Sequence, residues 1–319
     1  MAARGVWGTA LRRLVMLPLT VLLASTLTFF FLRLTPGDPA EVQLRGEGFD
    51  ATPQAIHELR EKWGLNDPMW TQYGRWARDV VKGDLGISYG TGQPVTQEIL
   101  LRLPPTLQLT AVAVFLIAAM AVGLSLLSVR IPQRMLDQAI RFLTVVAAAV
   151  PTFWLGLMLI NLFSVRLAWF PVFGRGGLVH LVLPSVTLAA ATGAWYTRVL
   201  RANLLDAIQH RYVFAARARG VPEGTILTQH VLRNSIIPAI TAFGMTIPAL
   251  VGGSVLVEVV FAWPGLGRLA TDAVFTRDYT VLQGYVLATT LLVAVANTAV
   301  DITYSAVDPR VRVGAHAVG

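Results

Sequence analysis

The chain has 319 residues, of which 55% are apolar and only 14% charged, and its mean hydropathy is +0.60. Soluble domains run near a quarter charged, so the composition excludes an ordinary soluble protein and points to apolar runs that need lipid around them. The net charge of +8, from 24 Arg and 2 Lys against 18 acids, reads as arginine gathered in loops on one side of a membrane rather than as a nucleic-acid surface. No cysteine is present, which excludes disulfide scaffolds, thiolate metal sites and cysteine nucleophiles.

The first uncharged run, 14–32, follows Arg12 and Arg13 and has 19 residues, enough to cross a hydrocarbon core of about 30 Å. A cleaved signal ends in small residues, whereas this run ends in Phe29, Phe30, Phe31, Leu32 and Arg33, so it is expected to stay in the membrane. Residues 34–102 carry mixed charge. Within them 53–63 is predicted as a short helix, with Thr52 as N-cap, Pro53 at the first helical position and Gly64 as its stop. Turns are predicted at Pro36-Gly37-Asp38-Pro39, Asn66-Asp67-Pro68 and Gly83-Asp84-Leu85-Gly86, and Trp63, Trp70, Tyr73 and Trp76 are expected to pack as a small cap on the membrane surface. Further uncharged runs occupy 103–129, 142–165, 181–197, 235–257 and 280–300, the last continuing through Asp301 to about Val307.

The expected architecture is therefore an all-α integral membrane protein with six transmembrane helices and an insertion between the first two. Residues 1–33 form the tail and first helix, 34–102 the insertion, 103–307 a five-helix core with an inner loop at 198–235, and 308–319 a tail.

Direction follows from Arg in the short loops. Arg4, Arg12 and Arg13, then Arg130, Arg134 and Arg141, then Arg198, Arg201, Arg211, Arg217, Arg219 and Arg233 share one side, assigned to the cytoplasm. The opposite loops hold Arg166 and Arg175, and Arg268 and Arg277 against Glu258, Asp272 and Asp278. Both termini are then cytoplasmic and 34–102 lies outside.

Enzyme chemistry finds no support. His57, His180, His210, His230 and His316 lie outside the six runs without a His-x-x-x-His pair, and there is no Gly-x-Ser-x-Gly, His-Glu-x-x-His or phosphate-binding Gly-x-x-x-x-Gly-Lys-Ser/Thr segment. The rival class is a stand-alone channel or secondary transporter, which commonly keeps ionisable groups at mid-membrane. Here Glu258 and Asp301 lie near span ends, Asp301 read as interface solvated with a pathway role as the alternative, and none lies at a span centre. Gly252-Gly253-Ser254 is read as a close helix contact.

The informative segment is the inner loop. Residues 204–219 are compatible with helix, Gly220 stops it, and Val221-Pro222-Glu223 starts a second helix leading into the fifth span at Pro238. In 212–220, the small Ala215, Ala216 and Ala218 allow close approach, Tyr212 and Phe214 can anchor in a groove, and Arg217 and Arg219 can pair with acids. From periodicity alone, a helix lying on anionic lipid is the alternative.

The chain resembles the membrane subunits of ATP-binding-cassette (ABC) importers for dipeptides, oligopeptides and nickel, specifically the first permease of the pair. The likeness covers almost the whole chain. It runs through Leu34-Thr35-Pro36-Gly37-Asp38-Pro39, Gly64-Leu65-Asn66-Asp67-Pro68, Gln72-Tyr73, Trp76, Gly83-Asp84-Leu85-Gly86-Ile87-Ser88 and Leu103-Pro104-Pro105-Thr106-Leu107. It continues through Val150-Pro151-Thr152-Phe153-Trp154, Trp169-Phe170-Pro171, Arg217-Ala218-Arg219-Gly220, Arg233-Asn234-Ser235-Ile236-Ile237-Pro238, Val260-Phe261-Ala262-Trp263-Pro264-Gly265-Leu266-Gly267 and Asp308-Pro309-Arg310. Each motif alone is weak, and their order and spacing together are specific.

The resemblance implies a type I ABC importer permease fold in a bacterial plasma (inner) membrane, with a second homologous permease subunit, two ABC ATPase subunits and an extracytoplasmic substrate-binding protein as partners. It implies no cofactor on this chain, with ATP and Mg bound by the ATPases. Di- or oligopeptides are the expected cargo, with nickel, a metal chelate or glutathione as alternatives. It implies an ATPase-coupling role for Tyr212, Phe214, Ala215, Ala216, Arg217, Arg219 and Gly220. Phe214 stands where the family's Glu-Ala-Ala-x-x-x-Gly pattern has glutamate, so no salt bridge is expected there. In a pore made of two permeases, the polar candidates for the path are Thr152, Asn161, Glu258 and Asn297, with Trp263 in the turn 261–267. Glu258 reads either as a contact for cationic cargo or as a solvated helix end, and Trp263 as a path plug or a lipid anchor.

Overall fold

The computed structural model describes residues 2–46, 48–130, 134–244 and 246–307, with side chains from Met16 to Val300 except at 134, 136 and 237–242. The Asp308-Pro309-Arg310 motif and the tail lie outside the described residues. Those described are helical throughout, apart from turns and a single antiparallel bridge between Ile87 and Pro94. Helices α1 (Ala2–Leu34), α2 (Pro39–Gly46), α3 (Pro53–Lys62), α4 (Met69–Val81), α5 (Val95–Arg130) and α6 (Arg134–Ala149) come first. Then α7 (Thr152–Leu159) runs into a π-helical segment, Ile160–Arg166. After α8 (Val179–Ile208) and α9 (Arg211–Ala218), the short α10 (Glu223–Thr225) enters a second π segment, Ile226–Leu232. The chain ends in α11 (Arg233–Gly244), α12 (Thr246–Val260), α13 (Leu266–Thr276) and α14 (Tyr279–Val307).

Among the described residues four stretches are single helices long and apolar enough to cross a membrane: Met16–Leu34, Val95–Arg130, Val179–Ile208 and Tyr279–Val300. The expected third span, 142–165, is not one straight helix. Asp137–Ala149 and Thr152–Arg166 meet at 111°, because Pro151 lacks an N–H and its ring disfavours helical geometry at Val150. Counting that pair as one span gives up to five. The expected fifth run, 235–257, is divided between α11 and α12, the latter a shorter apolar helix. The expectation that 204–219 forms one helix is also corrected. α8 ends at Ile208, and His210 takes extended geometry (φ −75°, ψ 149°) before α9 begins.

The chain divides into two compact units. One consists of Ala10–Thr106 and Pro264–Val295. In it α3 starts as predicted, with Pro53 in the first turn and the Thr52 hydroxyl accepting from the Ala55 N–H at 3.3 Å. Gly64 ends the turn at φ +66°, the left-handed region where glycine costs nothing. The aromatic cap forms on α1: Phe29 lies 5.2 Å from Tyr73 and 5.6 Å from Trp76, and Phe30 lies 5.2 Å from Trp70, ring centre to ring centre. Trp63 stacks on Tyr89 at 4.1 Å, and burial pushes the Tyr89 phenol up to about 12. Asp278, 2% exposed, accepts from Ser88 Oγ (2.6 Å), Thr280 Oγ1 (2.7 Å) and the backbone N–H groups of Gly90 and Val281 (both 3.1 Å). It pins the Gly86–Gly92 turns to the start of α14. Val95, Ile99, Leu266, Leu269, Ala273 and Val281 form this unit's core.

The other unit is built mainly from Leu107–Trp263. α8 packs against α6, α7, α11 and α12. Two glycines permit close approach: a Cβ at Gly156 would lie 3.2 Å from Phe261 and Val260, and one at Gly193 3.1 Å from Met120. By contrast, among the described residues nothing outside the helix's own backbone lies within 4 Å of a Cβ at Gly252 or Gly253. The helix contact expected there is not made among the described residues.

Candidate functional site

α9 is a two-sided helix. Val213 (0% exposed) and Ala216 (2%), three residues apart and so on one face, enter a core with Leu200, Leu204 and Ala207 of α8 and with Ile226 and Val231. Val122, Leu126 and Val129 near the end of α5 pack against that core. The opposite face is exposed: Phe214 at 57%, with Ala215, Arg217, Ala218 and Arg219 around it. The helix closes in a Schellman arrangement. Gly220, at φ +76°, donates to the Arg217 carbonyl (2.9 Å) and Val221 donates to that of Ala216 (3.2 Å).

Arg217 holds Glu223 by two hydrogen bonds, Nε to Oε1 at 2.6 Å and Nη2 to Oε2 at 3.2 Å. The hydrogen bond from Arg217 is the main reason the Glu223 carboxyl sits below its ordinary range, and the same bond raises Arg217. The Arg217 guanidinium also lies 6.0 Å from the centre of the Phe214 ring. Tyr212 is half-buried, and its ring stacks on His210 at 5.9 Å.

Of the seven predicted coupling residues, Phe214, Ala215, Arg217, Arg219 and Gly220 are therefore exposed. Ala216 supports the helix from within. Ala218, one of the small alanines of the run, completes the open face, and sequence reading gave no site role to Glu223, which orders Arg217. The spacing of Val213 and Ala216 was the available signal for which side faces inward.

The predicted path residues are scattered. Thr152 is half-buried at the start of α7, Asn161 is exposed in the π segment, and Asn297 is half-buried on α14. Glu258 and Trp263 come together at the end of α12, where the Trp263 N–H donates to the Glu258 carbonyl at 2.8 Å. Both side chains are 0% exposed. The reading of Glu258 as a solvated helix end is thus corrected: Ser254 Oγ donates to its carboxylate at 3.2 Å, inside the protein. Between them Ala262 adopts φ +49°, an uncommon value for a residue with a Cβ, and the Phe261 carbonyl accepts from the Gly174 N–H at 3.1 Å. Among the described residues no three His, Cys, Asp or Glu side chains gather as a metal site requires.

Residues 119–313 match the family described as the binding-protein-dependent transport system inner membrane component, and residues 9–110 match its N-terminal membrane component. The chain is 39% identical over 311 residues to the oligopeptide transport system permease protein AppB of Bacillus subtilis (strain 168), covering 94% of this chain and 98% of that one. It is 38% identical over 302 residues to the glutathione transport system permease protein GsiC of Pectobacterium atrosepticum, covering 95% and 98%. Among solved structures it is similar to the MetNI methionine ABC transporter in inward-facing conformations. That match has a TM-score of 0.55 and 21% identity, and covers 66% of this chain and 97% of the other.

Long apolar helices in the fold of a type I ABC permease define a non-catalytic membrane subunit of a transport system. The chain belongs to the binding-protein-dependent permeases of ABC importers, inner-membrane proteins that work with an ATPase and a binding protein.

Proposed function

We propose that this chain forms half of the translocation path of an ATP-driven importer of small peptides, glutathione included. A second homologous permease supplies the other half, two ABC ATPase subunits bind ATP and Mg, and an extracytoplasmic binding protein delivers cargo. α9 is the coupling element, with its exposed face seated on the ATPase. Both termini and α9 lie in the cytoplasm, and residues 34–102 lie outside. ATP closes the ATPase pair, draws the two coupling elements together and turns the permeases outward. Thr152, Asn161 and Asn297 are the path positions. Glu258 and Trp263, enclosed by their own chain, act by holding the turn 261–267.

The observation that carries this reading is α9: its inner face is anchored by Val213 and Ala216, while an aromatic ring and two arginines remain exposed. The relatives named for oligopeptide and glutathione transport support the cargo class.

The decisive experiment is capture of the ATPase by Ala215→Glu and Phe214→Ala permeases. Loss of about tenfold or more is expected at unchanged membrane insertion, since buried aromatic anchors dominate interfaces. Normal capture by both variants rejects the assignment. Uptake of labelled dialanine, tetra-alanine, glutathione and nickel by the reconstituted importer then identifies the cargo. Orientation is read from single thiols, with Gly92→Cys labelled from outside and Gln209→Cys only after permeabilisation.

A further inference from the structure

Next to Leu200 of the apolar core under α9, a polar cluster joins α8 to the end of α5 and the start of α6. Asp137, in the first turn of α6, accepts from Arg201 of α8 through Nε (3.0 Å) and Nη2 (3.0 Å). Ser128, near the end of α5, donates its hydroxyl to the same carboxylate and accepts from Arg201 Nε at 2.7 Å. Arg141, one turn along α6, reaches Asp137 at 2.8 Å. The Asp137 and Arg201 side chains retain only 20% and 18% of their exposure.

A fully exposed pair of this kind would contribute little. A two-pronged, partly buried contact sharing a third donor is stronger and fixes orientation. Its location gives it a consequence. The core under α9 already ties α9 to α8 and to the end of α5 through Leu200, Leu204 and Val129, and among the described residues none of its members belongs to α6. The Asp137 cluster adds a directional polar tie to α6, which also packs along α8 and leads into the bend at Pro151 and so to Thr152.

We propose that Asp137 and Arg201, braced by Ser128, are positioning residues that make α6 follow α9, so that motion received from the ATPase reaches the bent helix pair. This rests on the coupling reading of α9. Breaking the cluster leaves docking intact and separates ATP hydrolysis from transport.

The test uses the whole importer in vesicles, comparing ATPase capture, ATP hydrolysis and uptake of labelled tetra-alanine and glutathione per ATP. Asp137→Asn keeps shape and removes the charge. Capture and hydrolysis should stay within about twofold of wild type, while uptake per ATP falls about tenfold or more, the scale of a lost charge-assisted contact. Arg201→Lys, which keeps the charge and loses the fork, should fall about threefold. The exchange Asp137→Arg with Arg201→Asp should recover part of the loss. A readout without cargo is alkylation of Gln138→Cys, exposed on α6: ATP should alter its rate in the wild-type background and not with Asp137→Asn.

Loss of capture by the Phe214 and Ala215 variants addresses coupling alone, so the two proposals fail separately. Uptake per ATP and ATP-dependent alkylation unchanged in Asp137→Asn would overturn the inference. So would losses in Asp137→Asn and Arg201→Lys that merely track the yield of complex.

Discussion

α9 and the end of α12 carry the two most distinctive motifs of the same unit, and they are built in opposite senses. α9 buries two small or medium side chains and leaves Phe214, Arg217 and Arg219 to solvent. The end of α12 buries its largest residues, with Phe261 at 2% and Glu258 and Trp263 at 0%. An aromatic residue beside a glycine turn is therefore left open in one place, where the coupling proposal seats the ATPase, and enclosed in the other. Burial, rather than residue type, separates a contact from a support.

The sharpest way to break this contrast is truncation of the aromatic residues. Trp263→Ala should lower stability in detergent by about 3–5 kcal/mol, while Phe214→Ala, half exposed, should change it by under about 0.5 kcal/mol. Equal losses in thermal unfolding would erase the distinction. Next, Glu258→Gln should cost about 1–3 kcal/mol, the range for disturbing a buried polar contact. Its uptake of cationic peptide should show the same salt dependence as wild type, because the carboxylate is enclosed; a changed salt dependence would restore Glu258 as a cargo contact.

The smallest effect belongs to Arg217 and Glu223. The Glu223 carboxyl is lowered from 4.5, chiefly by the hydrogen bond from Arg217. Its contribution is therefore present above that value and lost as acid protonates it. Unfolding curves of wild type and Glu223→Gln should differ slightly at neutral pH and draw together as the pH falls below 4.5. A difference that grows in acid would contradict this sign.

Much of the local structure was legible because short-range rules decide it. Thr52 and Pro53 begin α3, Gly64 ends it, and Gly220 closes α9 with the geometry its position in sequence requires. The apolar runs gave the helices of the membrane region but not their continuity. A 24-residue run at 142–165 satisfies a length criterion whether straight or bent, and only Pro151 marked the break. The family resemblance located α9, yet it did not show that Ala216 turns inward, since facing depends on which helix lies beneath. The Asp137 cluster was invisible for the same reason: Arg201 lies 64 and 73 residues along the chain from Asp137 and Ser128, and each alone reads as an ordinary loop-side polar group.

The burial of α8 bears on how the chain is made. Its window has the lowest hydropathy of the four continuous spans, 1.2, and 61% of that window is covered by protein, against 11% to 28% for the others. A helix so sparsely wetted by acyl chains gains little from leaving the translocon alone, because its apolar surface is matched to neighbouring helices rather than to lipid. Insertion of α8 should therefore wait for earlier helices to be present beside the exit. Deleting residues 107–149 should leave the thiol of Gln209→Cys misplaced in a large share of chains, whereas α5 followed directly by a reporter should insert unaided. Efficient, correctly oriented insertion of α8 without those neighbours would show that its modest hydropathy suffices by itself.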